Sequence, residues 1–225
     1  MRNIWFMILI LSVSLPGCQR LNDLWRVLYF PEKSFYDLDA YLLRLKRYPH
    51  IKITKQRIDR SKKLLSDRDK SDNYWYSSFL SKMNEPVLYK IKLLENSEVF
   101  RFLWFRSFNR PVAIRVSKSD QSITLIAKVL SGAGAYRTRK LINTVIKTLK
   151  EKDWRDIQAL VKASKFWSMR TVTYEIGFDG AHWILEGRNP KEYHVVMRWS
   201  PRDKHFAKLC LHLLKLSGLN EKPVY

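Results

Sequence analysis

The hydrophobic period of the chain changes near Glu98, and this constrains the fold more than any other feature. Before it, Phe35, Leu38, Leu42 and Leu45 recur three and four residues apart, the spacing of one helical face. After it, Val99 to Phe108 is aromatic and strand-like, and Val112, Ile114 and Val116 alternate with Ala113, Arg115 and Ser117. Ile123 to Leu130 predicts a third strand, and Ser131-Gly132-Ala133-Gly134 a turn. Leu141 to Leu149, rich in Ile, Thr and Val, fits a fourth strand, although its weak alternation leaves a helix open. Trp154, Ile157, Leu160 and Val161 return to helical spacing, and Phe166-Trp167 is expected to close that helix onto the core. A last helix is expected from Arg202 to Leu216, with Ser200 or Asp203 near its start and Ser217-Gly218 as its stop. Strands with helices placed after them indicate an α+β domain: a mostly antiparallel β-sheet packed by helices, preceded by a basic helical extension. The expected units are a leader at 1–17, the extension at 18–97 and the α+β domain at 98–225. The sheet should use one face against the two later helices, and residues 98–219 should fold alone.

Within the extension, Ser34 with Asp37 three residues on resembles a capping box, and Pro49 should end the helix that follows. Arg44 to Lys70 then holds eleven bases opposed only by Asp59, Asp67 and Asp69, and Asn73-Tyr74-Trp75-Tyr76 follows. Bases beside interfacial aromatics suit a membrane surface or an anionic glycopolymer. The candidate binding residues are Lys52, Lys55, Arg57, Lys62 and Lys63, with Trp75. A formal net charge of +21 favours anionic partners in general. The competing reading is a charge spread over the whole surface that serves solubility.

Ahead of the extension, Met1-Arg2-Asn3 leads into an apolar run of 12 residues from Ile4 to Leu15. A spanning helix needs about 20 apolar residues, so the run reads as a secretory leader. Leu15-Pro16-Gly17-Cys18 resembles a bacterial lipobox, which implies cleavage before Cys18 and a diacylglyceryl group on its thiol. The alternatives are ordinary signal cleavage or an uncleaved helix. In lipoproteins of this kind an Asp after the cysteine retains the protein at the inner membrane. Gln19 stands there, which implies the outer membrane in a Gram-negative host. The expected partners are the membrane itself, through lipidated Cys18, and an anionic lipid, a glycopolymer or an envelope protein. A secreted chain disfavours nucleic acid. Cys210 lies in an apolar helical pattern and reads as a buried thiol.

The chemistry-bearing residues cluster in one expected hairpin, Ala181 to Gly187 and Glu192 to Trp199. A five-residue loop, Gly187 to Lys191, pairs Glu186 with Glu192 and Ile184 with His194. That register gathers Trp183, Leu185, Val195 and Met197 on one face and His182, Glu186, His194 and Arg198 on the other. A carboxylate beside an imidazole can serve as a general base, and two histidines with a carboxylate, helped by Asp179, could hold a metal. The plainer reading is a solvated sheet face with polar pairs across the strands. No HExxH is present. Ser107, Ser131 and Ser200 lack an assignable base, and Gly132-Ala133-Gly134 has neither the lysine of a phosphate loop nor a third glycine. No cofactor or metal is therefore expected. Trp104, Trp154, Trp167, Trp183 and Trp199 fall on apolar faces and read as core.

Three stretches, Phe102 to Val116, Asp179 to Gly187 and Tyr193 to Pro201, together with Phe166-Trp167, resemble a group of small uncharacterised bacterial proteins. The resemblance covers about residues 98 to 219. It implies one structural unit there and supplies neither a catalytic residue nor a substrate. The expected function is a lipid-anchored envelope protein that binds a protein or anionic envelope component. The alternative is an envelope hydrolase using Glu186 and His194, with or without a metal.

Overall fold

The computed structural model describes residues 27–134, 140–175, 180–201 and 203–222. The leader, Cys18, Asp179 and Arg202 lie outside these residues. Six strands form one antiparallel sheet: β1 (Glu98–Arg106), β2 (Val112–Lys118), β3 (Ile123–Leu130), β4 (Leu141–Thr148), β5 (Ala181–Arg188) and β6 (Tyr193–Trp199). Their spatial order is β4-β3-β2-β1-β5-β6. Among the described residues four α-helices accompany the sheet: α1 (Leu38–Leu45), α2 (Lys55–Lys82), α3 (Glu151–Ser164) and α4 (Lys204–Ser217). The fold class is thus α+β, as the change of period predicts. No described helix is long and apolar enough to cross a membrane.

Both faces of the sheet are covered. Phe100, Phe102, Trp104, Trp183 and Leu185 pack with Trp154 and Ile157 of α3 and Phe206, Leu209 and Leu213 of α4. On the opposite face, Leu103, Phe105, Ile184, Val195 and Met197 pack with Tyr76, Phe79 and Leu80 of α2 and with Phe30 and Phe35. This two-sided burial explains why eight of the nine residues of β1 are buried and why its sequence shows little alternation. A strand that faces solvent on one side alternates, whereas one enclosed on both sides reads as a continuous apolar run. It also corrects the expectation of a single covered face. The boundary at residue 97 does not separate two cores, because α2 supplies one layer of the domain.

Polar residues of α2 hold the segment that precedes α1. Asp69, Asn73 and Ser77 stand four apart, hence on one stripe of the helix, and all three are buried. Asp69 accepts from the backbone N–H groups of Lys33 (2.8 Å) and Phe35 (2.7 Å). Asn73 donates to the carbonyl oxygens of Phe30 and Pro31, and Ser77 Oγ accepts from Tyr29 N–H. Lys33 sits at φ 62°, where a side chain is strained, and the grip of Asp69 holds the turn there. The cap of α1 is consequently Asp37, whose Oδ1 accepts from Ala40 N–H, while Ser34 instead donates to Pro31. This differs from the expected Ser34 cap, because the turn carries Ser34 away from the helix.

The segment 141–148 is a strand, and a largely exposed one at the sheet edge, so its poor alternation reflects a lack of burial. Asp203 caps α4 through its side chain, and Gly218 at φ 73° ends the helix. Gly187 lies inside β5, where an added Cβ would come within 2.6 Å of Phe166. Glycine there lets the Phe166–Ser168 turn lie directly on the sheet.

Candidate functional site

The β5–β6 hairpin decides the fate of the residues singled out above. Its loop has four residues, not five. Arg188 pairs with Tyr193, Asn189 N–H donates to Glu192 O, and the Asn189 side chain accepts from the N–H groups of Lys191 and Glu192. This side-chain-closed turn shifts the pairing, so that Glu186 faces Val195 and Ile184 faces Met197. The parity of the hairpin is reversed. His182 and Glu186 face α2, whereas His194 and Arg198 face α3 and α4. The four residues therefore form no single constellation. The expectation failed because it gathered Trp183, Leu185, Val195 and Met197 on one face, which a sheet covered on both sides does not require.

Glu186 lies in a buried ion network. It pairs across the strands with Arg101, whose Nε donates to Glu186 Oε2 at 2.7 Å, and both side chains have no exposed surface. Arg101 also stands beside Arg115 on β2, a like-charge pairing. Glu85, just past the end of α2, offsets it. Its Oε2 lies 2.9 Å from Arg115 Nε and 3.7 Å from Arg101 Nη1, and its Oε1 lies 2.8 Å from Lys128 Nζ. Tyr193 donates to Glu186 Oε1 at 2.9 Å, and Arg101 donates to Pro86 O. Burial pushes the Glu186 carboxyl up, with Arg101 and the Tyr193 hydroxyl opposing it. Burial also acts upward on Glu85, but Arg115, Arg101 and Lys128 together hold it below its ordinary value. Burial and the neighbouring Glu186 push Tyr193 far up, so it remains a neutral donor. Arg101, Glu186 and Glu85 at the centre of this network are enclosed and paired with protein groups, so their charges are committed internally. The network locks the end of α2 onto the sheet.

His182 sits under α2, with Nδ1 hydrogen-bonded to the Tyr76 hydroxyl and its ring stacked near Phe105. Burial, assisted by Arg68, lowers it to about 4. Burial and then Asp72 push Tyr76 far above its ordinary value, so the phenol donates and the imidazole is neutral. On the other face, His194 Nε2 bonds to Met169 O and its ring meets Phe166. Arg198 donates to the carbonyl oxygens of Met197, Thr171 and Arg170. Burial lowers it to about 10, so it stays cationic at neutral pH. Each of these four residues holds neighbouring elements together. Among the described residues no group of three His, Cys, Asp or Glu could hold a metal ion.

The exposed chemistry lies on α2 and the loop before it. Lys52, Lys55, Arg57, Lys62, Lys63 and Trp75 are all exposed. Lys62 stands 3.4 Å from Asp59, and the other four bases make no ion pair among the described residues. Of the three acids counted against this stretch, Asp69 is turned inward to the backbone. The outer surface is thereby more basic than the sequence indicates. Leu64, Tyr74 and Trp75 stand exposed on the same helix. Trp104, Trp154 and Trp183 are buried, as is Cys210, whose thiol burial pushes far up.

Sequence reasoning missed Arg101, Glu85 and Tyr193. One signal was available: a lone arginine within Val99-Phe100-Arg101-Phe102-Leu103 must find a buried anion if that run is a central strand. No protein-family model matches the chain, and no curated protein matches it.

Proposed function

We propose that the protein is a lipid-anchored envelope component that docks through its α2 surface on an anionic layer, a non-enzymatic role. The observation that carries this reading is the separation of charge: Glu85, Glu186 and Asp69 are internal, while Lys52, Lys55, Arg57, Lys62 and Lys63 face solvent, as does Trp75 further along α2. Exposed bases supply long-range attraction, and an exposed aromatic on the same helix can add shallow insertion at an interface. Acylation of Cys18 would hold that surface close to a membrane. The hydrolase reading loses its support, since Glu186 and His194 lie on opposite faces of the sheet.

Vesicle co-sedimentation tests the docking. Protein beginning at Val27 should bind vesicles rich in acidic lipid at low salt and detach as the Debye length falls from about 10 Å at 0.1 M to about 3 Å at 1 M. Reversing Lys52, Lys55, Arg57, Lys62 and Lys63 to Glu changes the formal charge by ten against +21 for the whole chain. A local surface predicts complete loss of binding; a loss merely in proportion to charge refutes it.

A further inference from the structure

A recess of about 160 Å³ lies between the end of α1 and the segment 170–175. Its walls carry Arg44, Arg47 and Arg170 against one carboxylate, Glu175, and include Thr173 and the rim residue Leu43. Arg44 and Arg47 are three residues apart on the last turn of α1 and its exit, so they project to one side. Neither has an acidic partner among the described residues. The Arg170 Nη1 is held by Asp37 at 3.0 and 3.1 Å, which fixes that guanidinium and leaves its Nε and Nη2 unengaged among the described residues. Thr173 carries a solvent-shielded hydroxyl with no hydrogen-bond partner.

The walls are tied together independently of any ligand. Tyr174 OH donates to Phe35 O and accepts from Asp37 N–H at the start of α1. Met197 N–H of β6 donates to Thr171 O. The recess is thus preformed and lined by three guanidinium groups, with one positive charge in excess once Glu175 and the Asp37 that pairs with Arg170 are both counted, and with the Thr173 hydroxyl unpartnered.

We infer that this recess binds the phosphate group of a phosphomonoester or pyrophosphate. Planar guanidinium forks match tetrahedral phosphate oxygens in bidentate pairs, and a phosphate supplies the counter-charge that Arg44 and Arg47 lack. The exposed apolar rim at Leu43 gives a phosphate attached to a lipid somewhere to rest. This inference rests on the anionic-surface reading for the source of the ligand, not for the chemistry of the recess.

The test uses the protein from Val27 onward, since both cores lie between Tyr29 and Leu214. Pyrophosphate titration by calorimetry should show one saturable site. The double substitution Arg44→Gln with Arg47→Gln should weaken it by about a hundredfold, and Thr173→Val by about threefold, at unchanged thermal stability. The charge-matched pair Lys162→Gln with Lys191→Gln, both exposed and outside the recess, should leave the titration unaltered. No saturable binding, or an equal loss in the two double variants, overturns the inference. If pyrophosphate fails to bind while acidic vesicles still do, the recess is refuted and the surface reading stands. If pyrophosphate binds but acidic vesicles do not, the surface reading fails and the recess stands. With pyrophosphate bound, displacement by phosphatidic acid vesicles, but not by phosphatidylglycerol vesicles, assigns the site to a lipid headgroup. Lack of displacement by either assigns it to a soluble phosphate compound. Both outcomes support the phosphate chemistry.

Discussion

Acid should weaken the protein through His182, and the size of the effect follows from its surroundings. The ring lies between Tyr76 of α2 and Phe105 of β1, and the charge of Arg68 acts on it. Burial, with Arg68 adding to it, lowers the imidazole from 6.5 to about 4. The fold therefore holds His182 neutral at pH values where the unfolded chain already binds a proton. Its contribution to stability is complete above pH 6.5 and is lost as the pH falls through 4. At 1.36 kcal/mol per pKa unit, the loss by pH 4 is about 3 kcal/mol, a large part of the stability of an ordinary domain. Other carboxylates titrate at the lower end of this range, so the useful quantity is a difference between two proteins. Urea denaturation of the wild type and of His182→Gln at intervals from pH 7.5 to pH 4 supplies it. The unfolding free energy of the wild type relative to the variant should fall by about 3 kcal/mol across the range. A flat difference would show that the ring takes up a proton freely in the folded protein, and the enclosure of His182 under α2 would be refuted.

The remaining predictions concern the network, the folding unit and the anchor. Glu85→Ala removes the carboxylate that Arg115, Arg101 and Lys128 share and should cost about 3 kcal/mol or more in chemical denaturation; a cost below about 1 kcal/mol would show that water already screens those cations. A fragment from Glu98 to Leu219 should lack a cooperative thermal transition, because removing α2 bares Leu103, Phe105, Ile184, Val195 and Met197. A sharp transition in that fragment would place the N-terminal helices outside the core. For the anchor, Cys18→Ser should abolish incorporation of labelled palmitate, and persistent labelling would rule out the proposed attachment site.

The change of period at Glu98, the placement of strands before helices and the helix stop at Gly218 were legible in the sequence, which left Ser200 or Asp203 open as the cap at the start of that helix. Each is a local property: periodicity reports which residues seek burial, and caps satisfy backbone groups a few residues away. The bases between Arg44 and Lys70 were legible for the same reason, since long cationic side chains with no nearby acid stay in water. Three outcomes required the tertiary structure. The hairpin register turned on a four-residue loop closed by Asn189, and one residue of loop length moves every side chain to the other face. Arg101, Glu186 and Glu85 come together only because β5 lies beside β1 and the end of α2 is brought over both. Asp69 serves the backbone and not the basic surface only because the segment 29–37 folds beneath α2. A sequence fixes which side chains seek water and which avoid it, but a buried charge is stable only beside a partner of opposite charge. Where that partner lies far along the chain, the packing of the elements alone decides whether the two meet.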